Sequence, residues 1–186
     1  PLAARRAVQP PEQIELAQRL EARGYTYRID DGLYFDTSKF PRYAELARLD
    51  LAGQASGARI GDVAGKLHPQ DFALWKFAAP GVRRQQEWDA PWGRGFPGWH
   101  LECSAMSVRY LGESFDLHTG GVDNIFPHHD DEIAQSEAAT GRPFVKYWMH
   151  SNHLIVDGKK MSKSLGNFYT LRDLLAKHDP ALARRQ

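Results

Sequence analysis

Apolar and polar positions alternate in two different textures along the chain. In the first, Pro11 to Arg23 sets Ile14, Leu16, Ala17 and Leu20 at helical spacing, and Gly24 stands where a glycine closes a helix. Tyr25-Thr26-Tyr27-Arg28-Ile29 and Leu33-Tyr34-Phe35 flank Asp30-Asp31-Gly32, a pattern that predicts a β-hairpin. Pro41 to Leu49 predicts a short helix, and Ala52 to Gly65, glycine-dotted and aperiodic, predicts a loop. Asp71-Phe72-Ala73-Leu74-Trp75-Lys76 reads as a buried strand or a turn of helix. Pro80 to Pro97, rich in Pro, Gly, Trp and Arg, reads as irregular.

The second texture begins at Gly98. A helix is expected from about His100 to Leu111, closed by Gly112. Phe115-Asp116-Leu117-His118 then reads as a strand running into Thr119-Gly120-Gly121. A further helix opens at Pro127 and closes near Gly141, and His153-Leu154-Ile155-Val156 reads as a strand meeting Asp157-Gly158. Helix, strand, helix, strand at these lengths predicts an α/β fold with a parallel, doubly wound sheet. In such sheets ligands gather beyond the strand ends, here at Gly120-Gly121 and after Val156.

Composition adds boundaries. A hydrophobic share of 42% and a charged share of 25% are those of an ordinary globular chain. No apolar run approaches the roughly 18 residues of a membrane span, so a cytoplasmic protein without a membrane partner is expected. The net charge of +1 gives no electrostatic footprint for nucleic acid. The single cysteine, Cys103, excludes an intrachain disulfide. It is either a small buried hydrophobe or a functional thiol, and any metal it holds needs histidine and carboxylate ligands beside it.

Three groups of residues could carry chemistry. Lys160-Met161-Ser162-Lys163-Ser164 follows a strand and a turn, and its two lysines can surround a polyphosphate; the plain alternative is a solvated basic loop. In Pro127-His128-His129-Asp130-Asp131-Glu132, helical spacing puts Glu132 on one face with His128, and equally with His129. Spacing does not choose between them, and a first turn loaded with carboxylates also suits the helix dipole. Gly120-Gly121-Val122-Asp123 lets a ligand approach the backbone while Asp123 accepts from a ribose hydroxyl or an amino group, although alone it is a common turn.

Lys160 to Ser164 matches the signature loop of class I aminoacyl-tRNA synthetases at all five positions. Gly98-Trp99-His100-Leu101-Glu102-Cys103-Ser104-Ala105-Met106, the run from Phe126 to Ser136, Asp71 to Lys76 and Tyr147-Trp148-Met149-His150 resemble the zinc-site region of the cysteinyl-tRNA synthetases. The likeness covers about Asp71 to Leu175 and is looser before. It implies the second half of a class I Rossmann-type parallel sheet, preceded by a small α+β connective insertion. Residues 1–97 would form the insertion, 98–170 the nucleotide-binding part, and 171–186 the start of a following helical region.

The resemblance also implies roles. Zinc (Zn2+) would be held by Cys103, His128 and Glu132 with one further cysteine upstream, which this sequence lacks. ATP, with Mg2+, would lie near Gly121, Asp123 and Lys163, and Lys160 and Lys163 would stabilise charge on departing pyrophosphate. Trp99 would wall the cysteine pocket and His100 would help place the substrate; the ordinary alternatives are a core tryptophan and a helix-capping histidine. The implied partners are tRNA(Cys), cysteine and ATP, acting on a monomer. The family's His-x-Gly-His motif is absent; His150-Ser151-Asn152-His153 lacks the glycine and follows the zinc helix. The sequence therefore reads as an internal piece, inactive alone. A ligase joining activated cysteine to an amino sugar in mycothiol synthesis and a truncated binding module are the rival readings.

Overall fold

The computed structural model describes residues 10–50, 63–78, 81 and 84–177. Helix α1, Pro10–Ala22, buries Leu16, Ala17 and Leu20 on one face, as its periodicity requires. Strands β1, Thr26–Ile29, and β2, Gly32–Phe35, form the expected hairpin, with Thr26 opposite Phe35 and Ile29 opposite Gly32. Strand β3, Phe72–Phe77, adds antiparallel to β2, so the ambiguous run after Asp71 is a strand. Strand β4, Gly95–Pro97, completes a four-stranded antiparallel sheet in the order β1-β2-β3-β4. The segment read as irregular thus ends in regular pairing, and Trp88 bridges to Gly95. Gly98 then lets the chain turn close against β3, since a Cβ there would stand 1.9 Å from the Ala73 carbonyl oxygen.

The helix expected over Pro41 to Leu49 does not form. These residues run through successive turns, with Ala44 and Arg48 in the left-handed region at φ 67 and 55. Tertiary bonds replace helical ones: the amides of Leu46 and Ala47 donate to the Asp130 carboxylate at 3.2 and 3.3 Å. The expected loop from Ala52 to Gly65 falls largely outside the described residues.

Helix α2, Trp99–Leu111, ends at Gly112 as expected. Strand β5, Phe115–Gly121, lies parallel to β6, Val145–Ser151, with Leu117 opposite Tyr147 and Gly120 opposite His150. The parallel partner of β5 is therefore β6 rather than the run from His153. Of that run only Ile155–Val156 is a strand (β7), paired antiparallel with Lys159–Lys160 (β8) across Asp157-Gly158. Helix α3, Asp130–Thr140, begins three residues later than Pro127, after an irregular turn spanning Ile125–His129 in which Phe126 is extended. It closes on Gly141 at φ 74, the left-handed residue that glycine supplies. A last helix, α4, spans Leu171–Lys177.

The result is a mixed α/β fold with one parallel pair among the described strands. Its core is continuous from α1 (Leu16, Leu20) through the antiparallel sheet (Leu33, Phe35, Leu74, Trp75) to α2 (Leu101, Ala105) and α3 (Ala134, Ala138). Each large apolar side chain buried there contributes about 1.5–3 kcal/mol. No helix among the described residues is long and apolar enough to cross a membrane.

Candidate functional site

The α2–α3 contact positions the candidate metal ligands. Small side chains on α3, Ala134, Ser136, Ala138 and Ala139, are buried and admit close packing. A polar seam fixes the register: Gln135 Nε2 donates to the His100 carbonyl and to Ser104 Oγ, both at 2.6 Å, and Ser136 Oγ lies 2.9 Å from Ser104 Oγ. Cys103, one residue before Ser104, is thereby brought to the opening turn of α3.

Cys103, His128 and Glu132 each present a ligand atom within 4.8 Å of the others. His118, His129 and Glu132 do the same, so the carboxylate of Glu132 is shared by two groups. Its Oε2 lies 3.0 Å from His118 Nε2, 3.7 Å from His128 Nε2 and 4.0 Å from His129 Nε2. Its Oε1 is buried and has no hydrogen-bond partner. A buried carboxylate oxygen left without a donor is costly unless a cation supplies its partner. Thiol, imidazole and carboxylate are the donor types that zinc takes, and the set fits that ion.

Electrostatics follow from burial. The Cys103 thiol is pushed up to about 12 by burial and by the charges of Glu132 and Glu102, so ligation requires that its proton be displaced. Burial and the neighbouring imidazoles lower His129 to about 3, and burial with His128 lowers His100 to about 3. Both are neutral near neutral pH. Burial works against protonation of His118, but the hydrogen bond and charge of Glu132 outweigh it and raise the pKa.

Other expected site residues lie as follows. Trp99 is 57% exposed and therefore not a core residue; its indole stacks on His128 with centroids 4.0 Å apart. His100 is internally bonded, to His128 and to Asp131. At the end of β5 the close approach at Gly120 is made by His129, since a Cβ would meet its Cε1 at 2.6 Å. Gly121 is partly buried and Asp123 is exposed beyond it. Lys160 and Lys163 are exposed, with Lys163 Nζ 5.7 Å over the Phe168 ring. Among the described residues, the hydrogen bonds of this loop stay within 154–167, and none joins it to the histidine cluster.

Sequence reasoning assigned no site role to His118, Trp148, His150, Asp131 or Tyr43, although Trp148, His150 and Asp131 lie in runs it singled out. His118 and His150 flank His129 from the two parallel strands, with His150 Nε2 2.8 Å from His129 Nδ1 and His118 stacked on Trp148. The alternation of Trp148 and His150 along β6 carried that signal. Tyr43 reaches Asp131 from 88 positions away and left no local trace.

Strands β5 and β6 with the intervening helix α3 make a parallel βαβ unit, with a glycine pair at the end of β5 and a thiol–imidazole–carboxylate cluster at the start of α3. The family model for the class I (C) tRNA synthetase catalytic domain matches residues 2–186, and the chain belongs to that family. It is similar to the cysteine–tRNA ligases of Thermococcus kodakarensis and Pyrococcus furiosus, each 53% identical over 171 residues. That of Chlorobaculum tepidum is 53% identical over 175 residues. These matches take in 92–94% of this chain and 35–36% of each relative, so the chain spans about a third of their length.

Proposed function

We propose that the chain is the zinc- and nucleotide-binding part of a cysteine–tRNA ligase. The observation that carries the reading is the cluster of Cys103, His128 and Glu132, with Glu132 Oε1 buried and unpartnered and Trp99 stacked on His128. In the reaction, the cysteine carboxylate attacks the α-phosphorus of ATP, pyrophosphate leaves, and the cysteinyl group passes to the terminal ribose hydroxyl of tRNA(Cys).

Cys103, His128 and Glu132 would hold zinc. When bound, zinc supplies a soft centre that takes the substrate thiolate and discriminates against the hydroxyl of serine. A hydrophobic pocket could not do this, because near-isosteres differ there by only about 1–3 kcal/mol. Trp99 walls the substrate pocket and His100 orients the neighbouring ligand. Gly121 offers backbone to the nucleotide, and Asp123 accepts from its ribose. Lys160 and Lys163 are mobile cations placed to offset charge growing on the pyrophosphate, with Mg2+ accompanying ATP. The setting is the cytoplasm, and the working unit a monomer. Residues 98–170 carry this chemistry, residues 1–97 are the connective insertion that braces it, and 171–186 begin the following helical region.

Zinc content after dialysis of the parent chain and three variants tests the reading. Cys103→Ser and His128→Ala are expected to lose the metal, and His129→Ala to retain it. Retention by Cys103→Ser would overturn the assignment. The chain by itself, lacking a His-x-Gly-His motif, is expected to show no cysteine-dependent pyrophosphate exchange.

A further inference from the structure

A cleft of about 610 Å³ opens between β4 and the first turn of α2, lined by neither the candidate metal ligands nor Lys160 and Lys163. That volume lies in the range of sites for small molecules. Two of its walls are aromatic, Trp88 and Phe96. Trp88 packs against the core, and its backbone exchanges hydrogen bonds with Gly95 at 2.8 and 2.9 Å. Along β4, Gly95 and Pro97 are buried, so the pleat turns Phe96 the other way. Arg84 lays its guanidinium over the Phe96 ring, 4.0 Å from the centroid. Gln85, Gln86 and Glu102 complete the lining.

Arg84 and Glu102 bring opposite charges to one cleft and do not pair with each other. Among the described residues neither side chain has an ion-pair partner, and the side chains of Gln85 and Gln86 make no hydrogen bonds. The nearby carboxylate of Glu87 is taken by Arg94 at 3.4 Å and by the Arg84 backbone amide at 3.2 Å. A ligand that satisfies the cleft therefore brings an anion for Arg84 and a hydrogen-bond donor for Glu102. It also brings a flat ring for the aromatic walls and a polar edge for the two amides. A free amino acid supplies the two charges but fills little of the volume. A nucleotide whose base carries an exocyclic amino group meets all four demands, with its phosphate, amino group, ring face and ring edge.

We propose that this cleft holds an unpaired, amino-bearing nucleotide of a single-stranded RNA end. Stacking on Trp88 and Phe96 is tolerant of any base. Glu102 supplies the choice, because a carboxylate accepts from the amino group of cytosine and finds none on uracil. The inference rests on the proposed ligase reading for its occupant. Trp99 stands three residues before Glu102 on α2, so the two share a helix face with about 5–6 Å between their Cβ atoms. A strand seated in the cleft by one nucleotide thus brings the next one beside Trp99, where a terminal ribose has to meet the activated cysteine.

The test is fluorescence anisotropy of the chain with 5′-fluorescein-labelled tetramers of oligocytidylate and oligouridylate. Oligocytidylate is expected to bind about tenfold more tightly. Glu102→Gln should remove that preference, since its amide can donate to uracil as readily as it accepts from cytosine. Arg84→Ala should weaken both tetramers alike, about fivefold, and flatten the salt dependence of binding. Equal affinity for the two tetramers in the parent chain overturns the proposal, and so does a preference that survives Glu102→Gln or binding unchanged in Arg84→Ala. Unlabelled CMP that competes as strongly as unlabelled oligocytidylate would mark a site for free nucleotide and overturn the assignment to an RNA end. Failure of the ligase reading looks different: the parent chain then retains no zinc, while the preference for cytidylate and its loss in Glu102→Gln stand.

Discussion

His118 on β5 holds Glu132 on α3 by a single carboxylate oxygen, Nε2 to Oε2 at 3.0 Å, while Oε1 stays buried and unpartnered. Strand and helix are therefore joined by a bond that secures the carboxylate yet leaves it half available. Removing the imidazole would strand both oxygens. His118→Ala is expected to destabilise the metal-free chain by about 2 kcal/mol, the range for a lost hydrogen bond to a charged group. Added zinc should narrow that gap, because a cation would take over the carboxylate. Urea denaturation with and without zinc measures both, and an unchanged midpoint in the metal-free variant would refute it.

Cys103 gives a pH-dependent expectation. Burial, then Glu132 and Glu102, raise its thiol from 9.0 to about 12. The unfolded chain ionises first, so stability falls as pH rises from the ordinary thiol value through about 12, and below that window the group is neutral in both states. Since the thiolate is the reactive form, alkylation of the native metal-free chain should be slow and still rising steeply at the upper end of the window. Iodoacetamide kinetics against pH check this. A rate that levels off near the ordinary thiol value would show an unperturbed cysteine.

Where the fold was legible in sequence, a local periodicity carried it. Leu16, Ala17 and Leu20 announced α1, Gly112 and Gly141 announced the ends of α2 and α3, and Asp30-Asp31-Gly32 announced the hairpin turn. Strand β6 escaped because its inward positions are Trp148 and His150 rather than aliphatic residues, and the apolar Tyr147 and Met149 are exposed. Pro41 to Leu49 misled because its amides find partners on Asp130, across the fold. Cys103, His128 and Glu132 were visible by motif, with spacing unable to separate His128 from His129. The structure puts both histidines near Glu132 and groups only His128 with the thiol. The bonds among His100, Asp131 and Tyr43 join distant positions, and no local pattern encodes them.

Asp71, at the foot of β3, should prove a stability determinant. It is buried and accepts from the Thr37 amide and hydroxyl at 2.9 and 2.7 Å, the His68 amide at 2.9 Å and the Tyr27 hydroxyl at 2.7 Å. The carboxylate thus organises three separated segments. Asp71→Ala leaves buried donors unsatisfied, and a loss of about 3 kcal/mol is expected. Asp71→Asn keeps one acceptor oxygen and should lose less. Equal midpoints for the two variants in thermal unfolding would argue against a hydrogen-bonding role.

Asn167 offers a test of how the lysine loop keeps its shape. Its side-chain oxygen accepts from the Ser162 amide at 2.9 Å and its amide donates to the Lys160 carbonyl at 3.1 Å. Ser162 Oγ in turn accepts from the Leu165 amide at 3.2 Å. One side chain therefore closes the loop that carries Lys160 and Lys163, both of them exposed. Because the loop is exposed, Asn167→Ala should change global stability by no more than about 0.5 kcal/mol. The local consequence should be larger: faster hydrogen exchange at the Ser162 and Leu165 amides, as the turn opens more often. If the two lysines bind polyphosphate together, releasing them from a fixed spacing adds an ordering cost to binding. ATP or tripolyphosphate should then bind the variant about fivefold more weakly, the equivalent of one hydrogen bond of about 1 kcal/mol. Asn167→Asp retains the acceptor but loses the donor to Lys160 and should fall between the two in exchange rate. Normal protection at Ser162 in Asn167→Ala would show that the loop is held by its backbone alone. Faster exchange with unchanged polyphosphate affinity would show instead that the closed form of the loop is not the form that binds.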